Sequence, residues 1–158
     1  MNQFLKISQE QFDKDFEGKA RYSDIKLPKR ATRLSAGYDF FSPFAFTLEP
    51  GQSIKIPTGV RVILDEDKFL LVAPRSSLGF KYRLQLANTV GILDADYCRA
   101  ENQGHIFIKI TNDSLKQNTL TVKKGDAFAQ GIIMSYFLTE DDDASALRSG
   151  GLGSTDRV

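Results

Sequence analysis

The chain has 158 residues, 41% of them hydrophobic and 26% charged, a length and composition typical of one globular domain. The 21 basic residues nearly balance the 20 acidic ones, which argues against a broad nucleic-acid-binding surface, and the single Cys98 and single His105 exclude a disulfide framework and CxxC or HExxH metal sites. No apolar run approaches the ~20 residues of a membrane span and the N-terminus lacks a secretory pattern, so we expect a soluble, cytoplasmic protein that binds neither membranes nor nucleic acid directly.

The first seventeen residues predict one short helix, over about residues 8–17. Ser8 suits the N-cap position, and Gln11 follows it at the spacing of a capping box. Phe12 and Phe16 lie one turn apart on one face. We therefore expect a small helix that packs this apolar face on the rest of the domain.

From there to about residue 136, short apolar segments alternate with turn residues, which indicates an all-β sandwich or barrel. In the segment at 105–110, alternation places Ile106, Ile108 and Ile110 on one face. The absence of a βαβ rhythm argues against a doubly wound fold. The predicted strands cover residues 52–57, 60–64, 69–73, 105–110, 119–122 and 127–136.

The C-terminal part of the chain changes composition. Residues 140–143 are all acidic and predict a solvated linker, followed by the glycine-rich LRSGGLGSTDRV at 147–158. From composition, this flexible tail is either a fraying end, the simpler interpretation, or a lid that becomes ordered on a ligand. We divide the chain into a β domain at 1–138 and a linker with its mobile tail at 139–158.

The stretch PRSSLGF carries residues suited to an anion. Arg75 offers a planar fork of donors for phosphate oxygens, and Ser76 and Ser77 add hydroxyl donors. An ordinary basic surface turn explains the same residues equally well. The chain contains no GxxxxGK[ST] phosphate loop.

The stretch NTVGILDADY ends an apolar strand with carboxylates and a phenol. Asn88 offers both a donor and an acceptor, which complements the edge of a base. A carboxylate such as Asp94 beside an anion site can act on water as a base or hold a metal, although aspartate is also a common turn former. Tyr97 is, from its type alone, more often a packing residue.

Two further stretches, SAGYDF before these and GDAFAQGII after them, complete a recognisable order with GGLGST in the tail. Together the five resemble the motifs of the homotrimeric deoxyuridine triphosphatases, also called dUTP pyrophosphatases. The resemblance extends from about Ile25 to the C-terminus. It implies a distorted jelly-roll-like β-barrel and a homotrimer with shared active sites. It also implies hydrolysis of dUTP to dUMP and pyrophosphate by water attack on the α-phosphate, which limits uracil in DNA.

The same resemblance implies a role for each matching residue. Asp94 would contact the sugar 3′-hydroxyl and activate the attacking water, and Tyr97 would pack on the deoxyribose and exclude a 2′-hydroxyl. Asp39 would lie near the water shell of a Mg²⁺ ion held mainly by the substrate phosphates. The remaining substrate contacts would come from Asn88, Gly91, Ile92, Leu93 and Phe107 around the base, from Arg75, Ser76, Ser77 and Gln130 on the phosphates, and from Arg148, Leu152 and Gly153 in a closing tail.

The sequence departs from the family pattern at several positions. Ser77 replaces a usual glycine, Ala127 a usual arginine and Leu152 the usual aromatic residue over uracil. Arg148 lies one residue nearer the glycines than is common. The loop at 98–104 is longer than usual, and we assign it no role.

Two alternatives remain open at this stage. The related dCTP deaminases share a PRSSL-type loop, but they need a catalytic glutamate where this chain has Lys109. A cation does not replace that carboxylate. The second alternative is a nucleotide-gated binding module for another protein, for which the long loop after Tyr97 is the one hint.

Overall fold

The computed structural model describes residues 1–146 and residue 150. This part of the chain contains two α-helices, α1 (Gln9–Phe16) and α2 (Ser76–Tyr82), and two 3-10 helices at Tyr22–Asp24 and Ala95–Arg99. None of the described helices is long and apolar enough to cross a membrane. The strands in chain order are β1 (Gln3–Lys6), β2 (Lys29–Arg30), β3 (Tyr38–Phe41), β4 (Phe46–Leu48), β5 (Ser53–Pro57), β6 (Val60–Ile63), β7 (Lys68–Pro74), β8 (Gln85–Leu86), β9 (Gly91–Asp94), β10 (Phe107–Thr111), β11 (Leu120–Val122) and β12 (Ala127–Ser135).

All the strand pairs in the described residues are antiparallel, as expected for an all-β fold. The largest sheet has the order β2-β3-β12-β7-β9, and a second has the order β5-β10-β8. Two-stranded pairs, β1-β6 and β4-β11, accompany them. The arrangement is jelly-roll-like, which confirms the predicted fold class. In the described residues these sheets remain separate in their hydrogen bonding and do not form one closed barrel.

The core lies between the sheets and is built mostly from the predicted strands. Ile106, Ile108 and Ile110 are buried, as the alternation in that segment predicts. Leu70 of β7 and Phe128 of β12 are also inaccessible to solvent, and they lie in the two strands with the longest pairing. The bounds of β5, β6, β7, β10, β11 and β12 agree with the predicted strands to within one or two residues.

The predicted helix is present, and it spans Gln9–Phe16 where residues 8–17 were predicted. The Ser8 hydroxyl accepts the Gln11 backbone N–H at 3.2 Å, as an N-cap should. The Gln11 side chain donates forward to Asp15 at 2.8 Å, so the reciprocal half of a capping box is not formed. The residues before the helix do not extend it: they form β1, which pairs with β6. This strand was missed because four residues carry little periodicity.

The phosphate-type stretch also differs from the sequence prediction. It is not a simple surface turn, because Ser76–Tyr82 forms α2 and Arg75 stands at its N-cap position in an extended conformation. Arg83 ends this helix in the left-handed region, with φ 47°. Seven residues of mixed polarity give no clear helical period, so tertiary packing decides this element.

Candidate active site

An apolar pocket lies where β9 faces β10, and it collects most of the residues expected around a base and sugar. Its volume is about 60 Å³. Six of the predicted contact residues line it: Asn88, Gly91, Ile92, Leu93, Tyr97 and Phe107. The other lining residues are Val72, Leu86, Ile106, Ile108 and Lys109.

Backbone geometry shapes one wall of this pocket. A tight turn precedes β9, in which Thr89 has φ 68° and donates its N–H to the Leu86 carbonyl at 2.9 Å. Gly91 then pairs with Val72, and a Cβ on Gly91 would lie 3.2 Å from the Val72 Cβ. The absence of a side chain at Gly91 therefore lets β9 lie close against β7.

Tyr97 forms a second wall, and its hydroxyl is held by two hydrogen bonds. Its side chain is only 4% exposed. Its hydroxyl donates to the His105 carbonyl oxygen at 3.0 Å and accepts from the Asn102 amide at 3.4 Å. A ring held in this way has little freedom to move away from a ligand.

A separate, more polar cleft of about 460 Å³ collects the residues expected on the phosphates. Arg75 and Asp39 face each other there, with Nε 3.1 Å from Oδ1. The lining residues are Ala31, Ser35, Ala36, Gly37, Asp39, Arg75, Ser76, Ser77, Gln130 and Ile132.

Strand register brings these side chains together. Asp39 of β3 pairs with Gln130 of β12, and the Gln130 amide nitrogen donates to the Pro74 carbonyl at 3.1 Å. A Cβ on Gly37 would lie 2.5 Å from the Gln130 amide oxygen, so this glycine makes room for the amide. The Arg75 side chain is 39% exposed and the Asp39 side chain 17%, so both reach solvent from the cleft.

Asp94 lies apart from both groups. It borders a third, open concavity of about 580 Å³ that also contains Glu66, Asp96 and Arg99. Asp94 pairs with Phe69 at the start of β7, and Arg75 follows the end of the same strand. Phe69 and Arg75 are six residues apart, which corresponds to roughly 20 Å of extended chain. Within one chain, Asp94 and Arg75, the residues predicted to act as the base and to bind phosphate, are therefore at opposite ends of β7.

Sequence comparisons with known proteins agree on one family. A sequence model of the dUTPase family matches residues 23–156. The chain belongs to the dUTPase family. It is 34% identical over 145 residues to the deoxyuridine 5′-triphosphate nucleotidohydrolase of Lactococcus lactis, covering 89% of this chain and 95% of the relative.

Solved dUTPase structures share the fold. The dUTPase from Streptococcus mutans has a TM-score of 0.67 and 30% identity, over 87% of this chain and 98% of that one. A mutant dUTPase from phage phi11 of Staphylococcus aureus has the same TM-score at 23% identity, over 92% and 97%. The phage structure is described as revealing the coordination of a structural Mg(II) ion.

The dUTPase motifs in this chain account for most of the site, but the structure adds residues that sequence reasoning missed. Ile106 and Ile108 were predicted only as core residues, and they line the apolar pocket together with Val72 and Leu86. Strand alternation could have placed the two isoleucines on the pocket side, whereas nothing local marks Val72 or Leu86. Lys109 also borders the pocket. The tail residues Arg148, Leu152 and Gly153 lie outside the described part of the chain.

The side chains that line the cleft are better suited to a metal ion that arrives bound to a ligand than to an ion bound by the protein alone. Among the described residues, no group of three or more His, Cys, Asp or Glu side chains could hold a metal. Asp39 is the acidic side chain that lines the cleft, and it is paired with Arg75. Mg²⁺ usually keeps several waters and binds through substrate phosphates with one or two carboxylates. One carboxylate beside phosphate donors suits that mode.

Proposed function

We propose that this dUTPase hydrolyses dUTP to dUMP and pyrophosphate with Mg²⁺, using the apolar pocket for the deoxyuridine and the Arg75 cleft for the triphosphate. The main support is how the motifs are distributed. Apart from Asp94, the described residues that match base and sugar motifs line an apolar pocket, and those that match phosphate motifs line a polar cleft that contains Arg75. Membership of the family supports the same reaction.

In the pocket, recognition would rest on shape and on the edge of the base. Asn88 is exposed in the turn before β9, where its amide can donate to and accept from a pyrimidine edge. The close approach of β9 to β7 at Gly91 narrows the pocket and disfavours a larger base. Tyr97, with its ring fixed, would lie against the sugar and leave no space for a 2′-hydroxyl.

In the cleft, Arg75 would bind phosphate oxygens through its planar fork, with Ser76, Ser77 and Gln130 as further donors. In the structure, the Arg75 guanidinium is paired with Asp39. Binding of the triphosphate would therefore rearrange this pair. Asp39 would then face the waters of a Mg²⁺ ion on the phosphates, and when bound that ion supplies additional neutralisation of phosphate charge.

Asp94 would act as the general base for the attacking water, a role that contributes about 10²–10⁴-fold in rate. In-line attack requires this carboxylate to be within a few Å of the α-phosphate, while Arg75 binds the same triphosphate. Asp94, which pairs with the start of β7, and Arg75, which follows its end, are roughly 20 Å apart within one chain and do not meet this requirement. We therefore propose that each site takes Asp94 from one chain and Arg75 from another, in a homotrimer.

A mixing experiment tests the shared site. Asp94→Asn and Arg75→Ala chains are each inactive alone but carry complementary intact residues. If the site lies between subunits, unfolding and refolding an equal mixture restores about a quarter of wild-type activity, because random assembly pairs the two intact residues in that fraction of sites. A site built within one chain gives no recovery. Light scattering on the same samples measures the oligomer size.

Substrate specificity tests the reaction itself. Pyrophosphate release is measured for dUTP, UTP, dTTP and dCTP with Mg²⁺, and we expect strong preference for dUTP. Equal rates on UTP and dUTP would contradict the role given to Tyr97. Release of ammonia from dCTP would support the deaminase alternative, which the family assignment and Lys109 do not favour. Absence of any hydrolysis would favour the binding-module alternative.

Two features complete the proposal. The tail would close over the bound nucleotide, with Arg148 on the γ-phosphate and Leu152 and Gly153 over the base, and so exclude water from the site. We also assign the enzyme to the cytoplasm. A single cysteine suits a reducing compartment, in which structural disulfides are rare.

A further inference from the structure

His105 is a buried histidine to which the proposed reaction assigns no role. Its side chain is 0% exposed, at the start of the segment that continues into β10. Its Nδ1 lies 2.5 Å from Oδ2 of Asp15 on helix α1, and its Nε2 accepts the backbone N–H of Gly59 at 2.8 Å. Both ring nitrogens of this buried side chain therefore have partners.

These contacts fix the protonation state of the imidazole. The Gly59 N–H is a donor, so Nε2 must present its lone pair, and the proton of a neutral ring is then on Nδ1, where Asp15 accepts it. The ring is held further by Phe16 of α1, whose plane lies at 18° to it with centroids 6.1 Å apart. His105 thus joins helix α1 to the turn between β5 and β6.

The same residue also holds the pocket. The carbonyl oxygen of His105 accepts the Tyr97 hydroxyl at 3.0 Å, and its ring lies 4.3 Å from that of Phe107, measured between centroids. Tyr97 and Phe107 both line the apolar pocket. His105 is therefore in direct contact with two residues that line the pocket.

The long loop at 98–104 is tied to the same helix. Its Gln103 side chain accepts the Ser8 backbone N–H at 2.9 Å and donates to the Ser8 hydroxyl at 2.8 Å. A neighbouring side chain, Asn102, donates to the Tyr97 hydroxyl. The N-terminal helix lies outside the 23–156 match to the dUTPase family, yet it is linked through both the loop and His105 to the residue expected to select the sugar.

We propose that Asp15 and His105 form a positioning pair that holds Tyr97 against the deoxyribose, so that helix α1 contributes to the discrimination between dUTP and UTP. The proposal rests on the proposed function, because it concerns selectivity in that reaction. Neither Asp15 nor His105 is among the residues that line the apolar pocket. The pair acts through the Tyr97 hydroxyl and the start of β10.

The test compares kcat/KM for dUTP and UTP in variants of helix α1. Asp15→Ala removes the acceptor of the Nδ1 proton, and we expect it to lower the dUTP-to-UTP preference by about 10-fold, the lower range for a steric pocket contact. Asp15→Asn keeps an oxygen acceptor and should retain most of the preference. Asp13→Ala on the same helix, where Asp13 accepts from Gln9 at 2.8 Å, is the matched control and should leave the preference unchanged.

A double-mutant cycle ties the effect to Tyr97. Tyr97→Phe removes the hydroxyl and should reduce the preference to a similar extent, and adding Asp15→Ala to it should have little further effect. Additive losses, or an unchanged preference in a folded Asp15→Ala protein, would overturn the proposal. A loss of thermal stability without a change in preference would reduce the pair to a structural role and would overturn it as well.

A spectroscopic measurement serves if Asp15→Ala does not fold. Long-range ¹H–¹⁵N correlation on the wild-type protein reports the His105 tautomer, and the proposal requires the neutral Nδ1–H form. Observation of the Nε2–H form would overturn it. This measurement needs no activity, so its failure is distinct from that of the proposed function, which is judged by pyrophosphate release from dUTP in the wild type.

Discussion

Strand β7 borders two regions of the molecule, the apolar pocket and the Arg75 cleft, that are built differently. Beside its middle, the apolar pocket is shaped by backbone approach at Gly91 and by a fixed tyrosine ring, with few charged groups at its wall. Beyond its last residue, the cleft depends on an ion pair between Arg75 and Asp39 and on the oriented Gln130 amide. In the proposed function the first region would select the base by shape and the second would bind the phosphates by charge, which matches a nucleotide with a flat base and a charged triphosphate.

The largest loss of activity is expected at Asp94, whose carboxylate lines neither the apolar pocket nor the Arg75 cleft. Asp94→Asn removes the proposed base and should lower kcat by about 10²–10⁴-fold, because an amide does not accept the proton of water. Pyrophosphate release measures it. Asp113→Asn, at a surface carboxylate paired with Arg83 at 3.1 Å, is the control. Unchanged hydrolysis in Asp94→Asn would show that the base is another group.

The second-largest loss of activity is expected from a substitution in the Arg75 cleft. Arg75→Lys keeps the charge but loses the fork of donors, and we expect kcat to fall by about 10²-fold, the cost of one transition-state donor. Arg83→Lys, eight residues further along and paired with Asp113, should have no effect on the rate. If both variants keep wild-type rates, a positive charge at position 75 is sufficient for catalysis without the guanidinium geometry. That result would contradict the role given to the fork of donors.

A matched pair of glycine substitutions separates the two regions. Gly37→Ala would place a Cβ 2.5 Å from the Gln130 amide oxygen, and Gly91→Ala would place one 3.2 Å from the Val72 Cβ. Each substitution should weaken the affinity of its own region for its ligand by about 5-fold, equivalent to ~1 kcal/mol of overpacking. Binding of deoxyuridine, measured by calorimetry, should weaken only in Gly91→Ala, and binding of pyrophosphate only in Gly37→Ala. The reverse pattern would contradict the assignment of the two regions.

The smallest effect concerns pH. Burial lowers the pKa of His105 below its ordinary value, Lys55 on β5 acts in the same direction, and Asp15 partly opposes them. In the unfolded chain His105 has its ordinary pKa and therefore takes up a proton at a higher pH than in the folded chain. The contribution of His105 to the free energy of unfolding is therefore fully present above pH ~6.5 and decreases as the pH falls below it. Melting temperatures from pH 8 to pH 5 measure this, with His105→Asn as the control that should lose the histidine part of the slope. An equal slope in both proteins would contradict it.

Several elements followed directly from local sequence pattern. Alternation placed β10 with its two buried isoleucines and Ile106 just before it, and Ser8 marked the start of α1. Elements without a local period were missed: β1 has four residues, and α2 has seven of mixed polarity. Pairing with β6 defines β1, and such pairing depends on residues about 60 positions away in the chain. No window of neighbouring residues contains that information.

By itself, the sequence determined which chemical groups the site has, because side-chain type and motif order are properties of the chain. Arg75, Asp94, Asn88 and Tyr97 were all predicted as site residues in this way. Only the tertiary structure decided where these groups lie. Strand register places Asp94 opposite Phe69, far from Arg75, and packing brings Asp15 to His105 across 90 residues. Both arrangements result from which surfaces are buried together, and burial is a property of the whole fold.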